Sequence, residues 1–163
     1  MTWQSDRLKC RSSNDSTLLA DAWSELKAFE REAVIAACQA ALASGDDKRI
    51  QAISRLVAGY LRDRALGDAI QAALDKTEDR TTRLLGLSAL RCVEADRFSE
   101  CFISQLTHDD VQVRTSAVHC LAQCREVNLY ETLEKTLTDE DARVRVAALR
   151  TLRQAQEAHV PRV

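Results

Sequence analysis

Leu106-Thr-His-Asp-Asp110-Val-Gln-Val113-Arg114-Thr-Ser-Ala117-Val-His-Cys-Leu121 is followed 31 residues later by Leu137-Thr-Asp-Glu-Asp141-Ala-Arg-Val144-Arg145-Val-Ala-Ala148-Leu-Arg-Thr-Leu152. Leu, Thr, Asp, Val, Arg, Ala and Leu fall at the same offsets in both. Self-similarity at a fixed period marks an array of stacked units, in which each unit buries its apolar side against its neighbours. Such arrays carry extended binding surfaces more often than catalytic pockets.

The period runs backwards. Subtracting 31 from Asp110, Arg114 and Leu121 lands on Asp79, Arg83 and Leu90, with Gly86 where the later copies have Ala117 and Ala148. A weaker copy, Leu42-Ala-Ser-Gly-Asp-Asp47-Lys-Arg-Ile50-Gln-Ala52-Ile-Ser-Arg-Leu56, keeps a small residue four before its Leu but lacks the Val-Arg pair.

Each copy reads as two helices. The first is about 10–12 residues, as in Asn128 to Leu137, with apolar residues at helical spacing. A short polar turn follows, and then a second helix such as Ala142 to Gln154. Asp79, Asp110 and Asp141 stand where the second helix wants an N-cap. Thr107 and Thr138, three residues earlier, are alternative capping partners.

Composition agrees with an all-helical chain. Of 163 residues, 45% are hydrophobic and 29% charged, with four glycines and one proline, Pro161. Sandwiches and barrels need many more Gly and Pro turns. Aromatics are only 4%, so Leu, Ala, Val and Ile must build the core. Units are expected at about 31–62, 65–92, 96–124 and 127–155, within one domain spanning 17–155. Residues 1–16 read as a polar arm and 156–163 as a tail. Over 17–43, Leu19, Trp23, Leu26, Phe29, Ala33 and Ala37 form one helical face suited to capping the stack, as one helix or two.

Net charge of −2 argues against a general nucleic-acid binder. No apolar run approaches the roughly 18 residues that span a bilayer. The start lacks a secretory h-region, so a cytoplasmic location is expected. The six cysteines, Cys10, Cys38, Cys92, Cys101, Cys120 and Cys124, are then expected to stay reduced.

The string Leu-x-Asp-x-Asp-x-x-Val-Arg-x-x-Ala-x-x-x-Leu, from Leu137 to Leu152, resembles HEAT-like repeats, and its short period resembles the subtype named after phycobilisome lyases. The resemblance covers residues 74–152 clearly and reaches back, weakened, to about 42. It implies a right-handed α-solenoid of about four stacked helix pairs. It also implies that Asp79, Asp110 and Asp141 with Arg83, Arg114 and Arg145 form a structural ladder between turns.

In such a stack the second helices line the concave face. By register, Ile50, Gln51, Ser54, Leu84, Leu85, Ser88, Thr115, Ser116, His119, Val146, Ala147 and Arg150 are expected to face a partner. Ile50, Leu84, Leu85 and Val146 supply apolar surface, and Arg143, Arg150 and Arg153 a basic end. The function expected is a non-enzymatic protein-binding scaffold or adaptor that holds a peptide, helix or subunit. The resemblance also admits handling of a bilin chromophore, and HEAT-like folds admit nucleic-acid binding along a basic concave face. An open apolar end after Leu152 favours dimerisation.

Catalytic patterns are missing: there is no phosphate-binding glycine loop, no His-Glu-x-x-His and no Gly-x-Ser-x-Gly. Cys120 and Cys124 map to the core while His119 maps outward, so they do not converge as metal ligands. No cofactor is expected. His108 takes the place of Asp139 in the next copy, a turn position.

Overall fold

The computed structural model describes residues 31–159, which hold eight α-helices and no strand. They are α1 (Arg31–Ala43), α2 (Asp47–Leu56), α3 (Arg64–Leu74), α4 (Arg80–Glu94), α5 (Ser99–Ser104), α6 (Val111–Leu121), α7 (Leu129–Leu133) and α8 (Ala142–His159). The expected arm 1–16, the helical stretch 17–30 with Leu19, Trp23, Leu26 and Phe29, and residues 160–163 lie outside the described residues.

Aspartate starts five of these helices. Asp46, Asp63, Asp79 and Asp110 accept hydrogen bonds from backbone N–H groups of α2, α3, α4 and α6, satisfying donors that a helix cannot satisfy itself. Asp141 does the same for Arg143 at the start of α8.

Stacking follows the sequence period. α2 packs on α4, α4 on α6 and α6 on α8, while α1 packs on α3. The side-chain bonds repeat the interval: Arg31 reaches Asp63, Arg64 reaches Glu94 at 2.7 Å, and Arg97 grips Asp68 with two guanidinium nitrogens. These exposed pairs fix register and add little stability, about 0–1 kcal/mol each. Burial supplies the rest, through one apolar cluster running from Val34 in α1 to Leu152 in α8. Two glycines allow close approach within it. A Cβ on Gly67 would sit 2.6 Å from the Phe98 ring, and one on Gly86 2.5 Å from a Leu74 methyl.

Counting from the capping Asp of each second helix as position 0, positions 4, 8 and 11 form one stripe against the next unit. The stripe reads Ile50, Ser54, Val57; then Arg83, Leu87, Leu90; then Arg114, Val118, Leu121; then Arg145, Leu149, Leu152.

Several expectations need correction. The first unit is slipped by one residue. Asp46 caps α2, and Asp47 is the first helical residue. That shift turns the helix by about 100°, so Ile50 and Ser54, expected outside, are buried in the stripe, Ile50 at 1% exposure. From cap to cap this unit is 33 residues long, Asp46 to Asp79, and the wide π turn Val57–Leu61 takes up extra chain. Ala147 is also buried, by its place beside the small-residue position Ala148. In α1, Ala33 and Ala37 are exposed, and Val34, Cys38 and Leu42 face the core instead.

The first helices of the later units are shorter than expected. α5 and α7 run six and five residues and then tighten into the 3₁₀ turns Gln105–Thr107 and Lys135–Thr138. Thr107 and Thr138 donate back to the carbonyls of Ser104 and Lys135, closing the helix behind them and not capping the one ahead.

Ser54 has a cost. Its hydroxyl is fully buried and has no hydrogen-bond partner, in the stripe position held by Leu87 and Val118 in the next two units. Ser54→Ala removes a desolvated donor and improves helix propensity, so a gain of about 1 kcal/mol is expected. The melting temperature should rise by roughly 2–4 °C; a fall on scanning calorimetry would show that the hydroxyl is bonded.

Candidate interaction face

Positions 5, 6 and 9 of the second helices turn away from the stripe. At position 5 stand Gln51, Leu84, Thr115 and Val146; at position 6 Leu85 and Ser116; at position 9 Ser88, His119 and Arg150. Gln51, Leu84, Leu85, Ser88, Thr115 and Ser116 are half-buried, and His119, Val146 and Arg150 are exposed. With the corrected register, Ala52 and Arg55 join this face in place of Ile50 and Ser54; aligning Leu56 with Leu90 and Leu121 puts Gly45, one residue before Asp46, at the cap position.

The face is mixed in character. Leu84 leans on the core cluster. Thr115 donates its hydroxyl to the Val111 carbonyl, and Gln51 donates to Asp79 and Thr82 of the next unit. Arg143 and Arg153 of the expected basic end are held by Asp141 and Glu157, leaving Arg150 as its outward cation among the described residues.

Beneath this face runs a polar seam, built differently from the Asp–Arg ladder implied by the resemblance. Asp79, Asp110 and Asp141 do not pair with Arg83, Arg114 and Arg145. Each Asp caps its own helix. Each Asp amide donates to the side chain two residues earlier: Thr77 Oγ1, His108 Nδ1 or Asp139 Oδ1. Each Arg reaches back to the carbonyl six residues before it, on Thr77, His108 or Asp139. The seam crosses between units at Gln51 to Asp79, at Arg80 to Asp110 (3.6 Å) and at Arg114 to Asp139, where Nε and NH2 meet the two carboxylate oxygens at 2.8 and 3.0 Å.

These bonds set the charges. Thr82, through its amide and its hydroxyl, holds the Asp79 carboxyl below the usual carboxylate range. At Asp139 burial works against ionisation, but the Arg114 guanidinium and the Asp141 amide outweigh it, and the pKa is lowered. Arg143 brings the Asp141 carboxyl down to about 2 by its side chain and then its amide. All of these carboxylates are committed to caps and cross-links and are unsuited to acid–base catalysis near neutral pH.

One rung is incomplete. Arg83 occupies the register of Arg114, yet the position matching Asp139 is His108; Arg83 bonds Gln105 instead, and its buried Nε has no partner. His108→Asp supplies the missing carboxylate and still accepts the Asp110 amide, as Asp139 accepts that of Asp141. A stabilisation of about 1 kcal/mol is expected. Urea unfolding would show it as a raised midpoint at unchanged slope.

The cysteines pack as small apolar groups. Cys38, Cys101, Cys120 and Cys124 are buried and free, and Cys92 is half-buried and free. Burial pushes the Cys120 thiol up to about 12 and the Cys101 and Cys124 thiols to about 11. The Cys120 and Cys124 thiols donate weakly to the carbonyls of Leu87 and Ala95 in the preceding unit. Little thiolate exists at pH 8, so these three should resist alkylation in the native protein and react only on unfolding, by mass spectrometry of iodoacetamide adducts. Among the described residues no group of three or more His, Cys, Asp or Glu is placed to hold a metal ion, and no helix is long and apolar enough to cross a membrane.

Residues 99–162 match the family model of HEAT repeats. No curated protein and no solved structure matches the chain.

Proposed function

We propose that this chain is a protein-binding adaptor of the cytoplasm: residues 99–162 match HEAT repeats, a class that commonly serves as protein-interaction scaffolds and is typically non-enzymatic. In this reading the four helix pairs form a right-handed solenoid, and the partner lies along a concave face made by α2, α4, α6 and α8. The free thiols fit a reducing compartment.

The observation that carries the reading is the contrast within each second helix. In the first three of them positions 4, 8 and 11 are consumed by stacking, while across all four Gln51, Leu84, Leu85, Ser88, Thr115, Ser116, His119, Val146 and Arg150 keep surface. Helix spacing of about 8–10 Å makes that row roughly 30–40 Å long, enough for an extended peptide or a helix. Leu84, Leu85 and Val146 offer apolar anchors, and Arg150 and His119 offer donors for carboxylates and carbonyls.

The test uses a photo-crosslinking amino acid at Leu85, at Ser116 or, as a control, at the exposed Glu100 of α5. One and the same protein captured from cell lysate through Leu85 and Ser116, and spared through Glu100, is the expected result. Capture through Glu100 alone, or loss of none of the adduct in a folded Leu85→Asp variant, would move the site off this face.

A further inference from the structure

The stripe that joins unit to unit is open in the last one. At position 8, Leu87 and Val118 are fully buried, whereas Leu149 is 58% exposed. On α7 Tyr130 is exposed as well, and lines a groove with Leu152. Leu149 is the register equivalent of core residues, and among the described residues no unit packs on it.

The polar part of the stripe is open as well. Arg114 uses NH1 for the carbonyls of His108 and Asp109, and turns Nε and NH2 to Asp139 of the next unit. Arg145 uses NH1 for the carbonyls of Asp139 and Glu140 in the same way. Its Nε and NH2, the edge that in Arg114 grips a carboxylate, have no partner among the described residues. A guanidinium so oriented is suited to a bidentate carboxylate.

The same end carries the complementary charge. A shallow groove between α7 and α8 is lined by Tyr130, Glu134, Leu137 and Leu152. Glu134 is exposed and takes the register of Ile103, which packs on the core one unit earlier. One end face therefore offers apolar side chains, an open guanidinium edge on its α8 side and a carboxylate on its α7 side.

A face that holds both halves of its own ion pair is self-complementary about a two-fold axis. We propose that the C-terminal end is a dimer interface with a second copy of this chain. Leu149 and Tyr130 pack on their counterparts, and Arg145 of each copy meets Glu134 of the other. The interface is separate from the face proposed for the partner, and doubles the number of those faces per particle. It is the end of a single helix pair, smaller than the roughly 800 Å² per partner of a standard stable interface, so the association is weak, in the micromolar range.

Sedimentation equilibrium from about 1 to 300 μM tests this, a span chosen to bracket micromolar association. The mass is expected to rise from 18.2 kDa towards twice that value. Leu149→Arg should hold the protein at monomer mass throughout, with unchanged circular dichroism, because the side chain is exposed in the monomer. Glu134→Arg should weaken association by about tenfold or more, as two cations then face each other. A wild-type mass that stays at the monomer value up to the highest concentration overturns the proposal. Self-association undiminished by either substitution assigns the contact to another surface and overturns it equally. The capture of a partner through Leu85 is read separately, in the Leu149→Arg monomer.

Discussion

Replacing Arg114 by Ala is expected to cost about 3–5 kcal/mol, a large share of the 5–15 kcal/mol that holds a typical domain together. The side chain is 7% exposed and makes five hydrogen bonds: two to the carbonyls of its own turn, two to Asp139 and one to Glu140. Removing it leaves the Asp139 carboxylate, itself only 11% exposed, without its cation. It also strips two turn carbonyls of their donor, and buried acceptors left unpaired carry their full desolvation cost. Arg114→Lys should recover little, since an ammonium cannot meet two carbonyls and a bidentate carboxylate at once. Arg145→Ala is the internal reference. It removes the same pair of own-turn bonds but no cross-unit carboxylate, so about 1–2 kcal/mol is expected there. Urea unfolding of both variants would measure the difference, which is the worth of the junction between the third and fourth units. Equal losses at Arg114 and Arg145 would mean that the Asp139 contact contributes nothing net, as buried ion pairs sometimes do.

That contrast also marks how far the sequence could be read. The repeat from Leu106 to Leu121 and Leu137 to Leu152 was legible because Asp, Val, Arg, Ala and Leu each do a job that tolerates few residue types: cap, core, turn clamp, close approach, core. The helical fold followed from that, and residues 99–162 match HEAT repeats. The bonding partners did not, since a spacing of four between Asp and Arg suggests a pair, and only coordinates reveal that Arg114 turns instead to Asp139. In the first unit, aligning Ala52 and Leu56 with Ala117 and Leu121 puts Gly45 at the cap position, one residue before the true cap Asp46; that register inverts Ile50 and Ser54 while leaving Gln51 in place. In α1 apolar residues fall on several sides of the helix, Val34 and Ile35 being adjacent, and Val34, Cys38 and Leu42 face inward where the sequence pattern points to Ala33 and Ala37. Leu84, Leu85, Ser88, Thr115 and Ser116 keep positions 5, 6 and 9 because their units share one unbroken register, and all five are half-buried.

Leu87 and Leu149 hold the same register position in the second and fourth units, and the same substitution should have opposite consequences. Leu87 is completely buried between α4 and its neighbours. Truncation to Ala there forfeits transfer free energy and leaves a cavity that the packed helices cannot close, costing about 2–5 kcal/mol. Leu149→Ala, at 58% exposure, should change stability by less than about 0.5 kcal/mol in dilute solution. Chemistry, helix position and sequence context are matched, so the difference isolates what a following unit adds to the one before it. In a stacked array that nearest-neighbour contribution is the main source of stability. Calorimetry at a few micromolar protein should therefore show a drop of several degrees for Leu87→Ala and none for Leu149→Ala. At several hundred micromolar the Leu149 variant should melt below wild type as well, because a second copy then takes the place of the missing unit and stabilises wild type by mass action. A Leu149→Ala loss as large in dilute solution as at high concentration would place that side chain inside the folded monomer, and the end of the stack would not be open.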